Sequence, residues 1–252
     1  MSNFRRPKHL TTRRMQETRP NPPKEQAKAQ RPAREIRWNC PVAAKCGGCQ
    51  LTRLSYAEQL QWKQQRVAEL LDGICEVRPI LGMDDPFHYR NKVHAVLAVD
   101  KAGRPISGVY AMGTHRVVPV RHCLIEDRRA DRIIQTIVAM LPAYKLRIYN
   151  EYTHRGFLRH ILIRTGHVTG QIMVVLVATS LEFPGKKAFV QELIQRHPEI
   201  TTVVLNCNQR ETSMVLGTKE ITLYGEGYME DELCGNCLLY TSPSPRDTER
   251  SR

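Results

Sequence analysis

The sequence predicts an α+β protein: a disordered basic arm, a cysteine loop backed by a helix, and a mixed, strand-rich central domain. Three observations lead there. Residues 1–39 carry eleven Lys/Arg against three Glu and are broken by Pro7, Pro20, Pro22, Pro23 and Pro32, so they offer neither a helix nor apolar surface to bury. Cys40, Cys46 and Cys49 crowd together around Gly47 and Gly48. From Cys75 onward, strand-like stretches mix with a few helical ones without a regular βαβ repeat.

Bulk properties narrow the class. With 252 residues and 41% apolar content, the chain can bury a sizeable core. The longest apolar run, Ile172–Ala178, is strand-sized and far short of the roughly 20 residues that span a bilayer. No apolar h-region marks a secretory leader, so a cytoplasmic location is expected. Of the net +13, +8 lies in residues 1–39. Such an arm suits a polyanion such as RNA through counterion release; a merely solvated tail would have the same composition. Eight cysteines in a chain of this kind point to metal or catalysis rather than disulfides.

The elements follow in order. Ser55-Tyr56-Ala57-Glu58 reads as a capping box opening a helix, with Tyr56, Leu60, Val67 and Leu71 on one face and Gly73 as its stop. Lys92–Val99 and Ile106–Met112 are strands joined by the turn Asp100–Gly103, and Arg116–Val120 is a third. Ile125–Met140 has helical spacing, stopped by Pro142. Leu158–Arg164 and Gln171–Ala178 flank a hairpin turn at residues 166–170, and Lys186–Gln195 is an amphipathic helix. Val203–Asn206, Ser213–Leu216 and Glu220–Tyr224 read as short strands.

The cysteines carry the chemistry. Three soft thiolates so close in sequence can wrap one metal centre, and the two glycines permit the tight loop. Cys123, between a strand and a helix start, is the best fourth donor. Four thiolates suit either zinc or a 4Fe–4S cluster, and the spacing alone leaves both open. Cys75 and Cys207, in apolar or strand contexts, read as buried free thiols.

Here the sequence resembles the bacterial 23S rRNA (uracil-C5) methyltransferases. Cys40, Cys46, Cys49 and Cys123 match that family's four cluster ligands. So do Cys46-Gly47-Gly48-Cys49-Gln50, Tyr89-Arg90-Asn91-Lys92-Val93, Gly156-Phe157-Leu158-Arg159-His160, Asn206-Cys207-Asn208 and Leu223-Tyr224-Gly225-Glu226-Gly227, in order over residues 38–235. The resemblance implies a 4Fe–4S cluster that is structural or positions RNA. It also implies S-adenosylmethionine as methyl donor in the full-length parent, and 23S rRNA as partner, with no membrane and no obligate protein partner. Arg90, Asn91, Lys92 and Arg159 become the tentative RNA-binding residues; ordinary surface or packing roles are the alternative. His115 and His122 show no carboxylate partner in the sequence and are given no catalytic role.

Two departures shape the expectation. Many family members begin with a small OB-like barrel, for which residues 1–39 leave no room. The family's Rossmann-like methyltransferase domain is also expected to be missing, because Gly225-Glu226-Gly227 is the one G-x-G, reads as structural, and is followed by no βαβ series. No catalytic and no S-adenosylmethionine-binding residue is therefore assigned. Residues 236–252 read as a foreign, adapter-like tail without strand or helix period, which makes the Cys234–Cys237 C-x-x-C an accident. The domain scheme is thus a basic arm (1–39), an iron–sulfur loop and helix (40–74), a central α+β RNA-binding domain (75–235) and the tail (236–252). The functional expectation is an N-terminal fragment of an RNA methyltransferase, inactive alone; the alternative is a stand-alone zinc- or cluster-bearing RNA-binding module without enzymatic activity.

Overall fold

A computed structural model describes residues 37–211 and 214–242. Most of the basic arm, Ser213 and the segment from residue 243 lie outside them.

After the short helix α1 (Ala43–Cys46), α2 (Tyr56–Leu70) opens on the expected capping box. The Ser55 hydroxyl accepts the Glu58 N–H at 3.3 Å, and Glu58 accepts the Ser55 N–H at 2.6 Å, which satisfies two otherwise orphaned donors. The expected apolar face is not buried as a stripe. Only Tyr56 and Gln59 are buried, while Trp62, Val67 and Leu70 are exposed. Cys75, expected to be buried, is exposed just beyond the helix end.

The centre is a seven-stranded sheet in the order β3-β2-β1-β4-β5-β6-β7. The strands are β1 (Lys92–Val99), β2 (Pro105–Tyr110), β3 (Val117–Pro119), β4 (Leu158–Thr165), β5 (Ile172–Ala178), β6 (Ile200–Cys207) and β7 (Lys219–Tyr224). All neighbours are antiparallel except β5 and β6. That parallel pair is joined by α4 (Lys186–Arg196), which buries Phe189, Val190 and Leu193 and so forms one βαβ unit. The other long helix, α3 (Arg128–Met140), starts where the Asp127 side chain accepts the Arg129 N–H. It lays Ile133, Ile137 and Leu141 on the same sheet face, with Val93, Ala95, Ile161, Ile163, Val174 and Leu205 beneath. Each such side chain, fully buried, contributes about 1.5–3 kcal/mol.

The opposite sheet face carries a smaller cluster: Leu162, Met173, Val175, Val177, Val204 and Leu216. Part of its cover is a hairpin that sequence reading did not anticipate, β8 (Tyr228–Leu233) and β9 (Asn236–Thr241). Met229 and Tyr240 pack on the cluster. The Asp231 carboxylate accepts the N–H groups of His167 and Val168 at 2.9 Å each and of Thr169 at 3.4 Å, tying the hairpin to the β4–β5 turn. Residues 236–241 therefore do pair as a strand, contrary to the expected lack of strand period. Cys234 and Gly235, both with positive φ, form the two-residue turn that such a hairpin requires.

A strand expected over Ser213–Leu216 does not form across its described residues. Asn208 Nδ2 donates to the carbonyls of Met214 and Val215 at 2.7 and 2.9 Å, so a side chain takes the place of a strand ladder.

One irregularity positions later chemistry. Leu158 faces Ala178 on β5 and His160 faces Val177, leaving Arg159 as an extra residue. Leu158 and Ile161 both belong to the helix-side core. The bulge thus sends two consecutive side chains, Arg159 and His160, away from that core, a device common beside functional sites.

Candidate functional site

Cys40, Cys46, Cys49 and Cys123 line one cavity of about 300 Å³. The first three come from the loop around α1. Gly47 takes a left-handed conformation (φ 68°), and a Cβ built on Gly48 would lie 3.3 Å from the Cys46 sulfur. A glycine pair lets the chain turn there without crowding the thiol. Ahead of the loop, the Trp38 ring packs on Phe87 with centroids 4.7 Å apart.

Cys123 arrives from the far side of the cavity, in the connection between β3 and α3. Asp131, in the first turn of α3, accepts its backbone N–H at 2.8 Å. The same connection is bonded to the entry of β1: His88 N–H donates to Leu124 O, Arg90 N–H to Ile125 O and Asp127 N–H to Arg90 O. The Tyr89-Arg90-Asn91-Lys92 motif thereby holds Cys123 in register with the other three cysteines.

Without a ligand, burial keeps two of these sulfurs as protonated thiols, a preference that a bound metal centre would have to overcome. Burial, then the neighbouring Cys46, raises the Cys49 thiol above its ordinary value, with Arg90 opposing. Burial pushes the Cys123 thiol up to about 11 and the Glu126 carboxyl up to about 7. Among the described residues, no group of three or more Cys, His, Asp or Glu is drawn together as ligands of a single ion.

The tentative RNA residues divide. Arg90 and Asn91 are exposed and Lys92 is half-buried at the start of β1. Arg159 is 6% exposed, and its Nη1 donates to the carbonyls of Asn208 and Arg210 at 2.8 Å each. His115 does have a carboxylate partner: its Nδ1 lies 2.8 Å from Glu151 Oε2. Glu151 is 36 residues away in sequence, so no local pattern announces the pair.

The Asn206-Cys207-Asn208 motif has a packing role. Asn206 Oδ1 accepts the Gly217 N–H at 2.7 Å, and its Nδ2 donates to Gly217 O at 3.2 Å. Together with the two bonds from Asn208, these fasten the irregular segment between β6 and β7. Gly225 and Gly227 both have positive φ. A Cβ on the first would sit 2.2 Å from Thr201 O, and on the second 2.6 Å from Thr222 Oγ1. The turn is filled by the protein's own atoms and is not a cofactor cradle.

No family model matches the chain. It is 37% identical over 197 residues to an uncharacterized RNA methyltransferase of Bacillus cereus, covering 76% of this chain and 43% of that protein. Another, from Clostridium tetani, is 37% identical over 215 residues, covering 84% and 46%. The chain thus spans about half the length of the curated relatives it matches. Among solved structures, it is similar to the Pyrococcus abyssi tRNA (uracil-54, C5)-methyltransferase in complex with S-adenosyl-L-homocysteine. That likeness has a TM-score of 0.60 at 22% identity and covers 81% of this chain and 47% of the other.

The structural likeness overturns one expectation. Sequence reading had the Rossmann-like methyltransferase domain missing. The seven-stranded mixed sheet with its helices instead shares a fold with part of that protein, over 81% of this chain and 47% of the other. Among the described residues, no glycine-rich turn followed by a βαβ series marks this fold. Here the sheet is largely antiparallel, with β5-α4-β6 as its parallel unit.

Proposed function

We propose that this chain belongs to an S-adenosylmethionine-dependent methyltransferase acting on C5 of uridine in 23S rRNA, with Cys40, Cys46, Cys49 and Cys123 holding a 4Fe–4S cluster. The observation that carries the reading is the convergence of those four thiols on one cavity, in a chain whose relatives are named RNA methyltransferases. Tetrahedral zinc gathers four sulfurs at about 2.3 Å from one centre. A cuboidal cluster gives each cysteine its own iron, and the resemblance to the cluster-bearing family favours it over zinc. When bound, the cluster ties the Cys40–Cys49 loop to the β3–α3 connection. Arg90, which lines the same cavity, and its neighbours Asn91 and Lys92 are the residues proposed to meet RNA phosphates, and the basic arm adds charge outside the described residues. S-adenosylmethionine supplies the methyl group, as the resemblance implies; no described residue is assigned to it.

Two measurements test this. Protein prepared anaerobically should contain iron with acid-labile sulfide; stoichiometric zinc in its place would replace the cluster with a zinc knot. Disrupting the gene in its host should remove 5-methyluridine from 23S rRNA, read by mass spectrometry of the isolated RNA. If 23S rRNA keeps its full 5-methyluridine while tRNA loses it, the substrate assignment is wrong.

A further inference from the structure

A second cavity, on the sheet face opposite the helices, is absorbed neither by the cluster nor by the core. It measures about 590 Å³ and is lined by His94, Tyr110, Tyr149, Glu151, Arg159 and His160 among others, a size suited to a small planar group. The bulge in β4 supplies its Arg159 and His160. His94 comes from the adjacent β1, and its ring meets that of His160 edge to face at 4.9 Å.

Three polar atoms on its lining side chains are shut from solvent and have no hydrogen-bond partner: His94 Nε2, His160 Nδ1 and Arg159 Nε. Residues 159 and 160 are each 6% exposed. Leaving a buried polar group unpaired is destabilising, so three together mark a place built for a ligand with its own donors and acceptors.

The charge balance says what kind. Burial drives both imidazoles neutral, to about 4 for His94 and about 3 for His160. Arg159 is the buried cation, and its guanidinium lies over the Tyr149 ring at 4.6 Å. Two carboxylates, Glu151 and Glu211, face it across the cavity, bonded to the exposed His115 and His154 at 2.8 and 3.1 Å. The Tyr110 hydroxyl donates to Glu151 at 2.7 Å and closes that wall. With no surplus of positive charge, the cavity does not select a phosphate. Neutral imidazoles that can each donate or accept, one guanidinium N–H and aromatic walls select a neutral, flat, polar group. In an RNA-binding protein that group is a base.

We propose that this cavity takes a single unstacked nucleobase of the RNA, read on its hydrogen-bonding edge by His94, Arg159 and His160. The inference rests on the RNA reading above. Among the described residues no cysteine lines the cavity, so the groups that line it recognise a base rather than attack it.

The test uses the full chain with histidine-labelled NMR and three probes: short unpaired RNA oligonucleotides, a ribose-phosphate oligomer of the same length without bases, and inorganic phosphate. The expected result is that the ring signals of His94 and His160 move with at least one base-bearing oligomer and with neither control. That oligomer should bind about tenfold or more tightly than the abasic one, and His160→Phe should lose most of the advantage. If that variant does not fold, the wild-type signals decide alone. Binding of base-bearing and abasic oligomers alike, with unmoved ring signals, overturns the cavity proposal and leaves the RNA reading standing. Ring signals that move with phosphate alone make it an anion site and overturn the proposal too. Failure of every oligomer to bind overturns the RNA reading and the proposal with it.

Discussion

His94 and His160 stand diagonally across the β1–β4 pair, rings edge to face at 4.9 Å, each with one ring nitrogen unpartnered. The register places Val96, not His94, directly opposite His160. The contact is therefore a same-face diagonal, within reach of aromatic side chains. It couples the bulged strand to its neighbour, and both rings line the same cavity.

The first prediction concerns pH. Burial, and then the Lys92 charge, lowers His94; burial, then His94 and Arg159, lowers His160. An unfolded chain binds protons at both rings below about 6.5, where the folded chain does not. Stability from this pair is whole above that value and falls with decreasing pH until the folded rings titrate near 4 and 3. The rate is up to about 1.4 kcal/mol per pH unit per ring. Glu126 works the other way, since its folded value of about 7 lets the folded state hold a proton that the unfolded chain releases. The informative quantity is thus the difference between wild type and His160→Phe in urea midpoints between pH 7 and 5. The variant should lose stability less steeply as pH falls; identical slopes would mean that the His160 ring is not held neutral.

A second prediction concerns the hairpin. Burial opposes ionisation of Asp231, yet the amides of His167, Val168 and Thr169 hold its carboxyl below the usual range. Asp231→Ala strands those donors and should cost roughly 2–3 kcal/mol. The loss should appear first as faster proteolysis at the Cys234-Gly235 turn. Asp231→Asn, which keeps one acceptor, should fall between. Equal proteolysis of all three forms would show that the bonds of Glu230 to Thr169 and Gln171, with the packing of Met229 and Tyr240, seat the hairpin without the carboxylate.

Sequence patterns located the elements whose burial is one-sided or complete. Lys92–Val99 was legible to the residue because its core contacts alternate, and the strand expected over Gln171–Ala178 was legible to within one residue because Ile172–Ala178 is apolar throughout. Tyr228–Leu233 was not, since Glu230, Asp231 and Glu232 disguise a strand whose anchor is a carboxylate. The cysteine set was legible as spacing plus resemblance, and the structure brings its members to one cavity. The histidine cavity was invisible. A bulge has no sequence signature here, and the Tyr110–Glu151–His115 chain joins residues 36 and 41 positions apart.

The third prediction separates cluster ligands from bystanders. Cys46→Ser and Cys123→Ser should each lower the iron and acid-labile sulfide recovered after anaerobic reconstitution, because a hydroxyl does not replace a thiolate at iron. Cys75→Ser, at an exposed thiol outside the cavity, should leave both unchanged. Full iron content in Cys46→Ser would remove Cys46 from the ligand set.

The last prediction tests the asparagine clamp. Asn206 is wholly buried, and its amide is used from both ends, oxygen toward Gly217 N–H and nitrogen toward Gly217 O, with Glu220 Oε2 at 3.3 Å from the same nitrogen. Asn206→Asp keeps the acceptor and loses the donor. It also sets a carboxylate against a buried carbonyl and against Glu220. Its cost should therefore exceed that of Asn206→Ala, which strands Gly217 at roughly 1–3 kcal/mol per unpaired group. Gly217→Ala probes the same contact sterically, since a Cβ would lie 1.7 Å from Cys207 O, a clash that only displacement of β6 or of the following segment can relieve. Urea unfolding of the three variants should rank Asn206→Ala as the mildest. If Asn206→Asp is as stable as wild type at neutral pH, the amide nitrogen makes no necessary bond. The motif would then be kept for the backbone course of β6 rather than for its side chain.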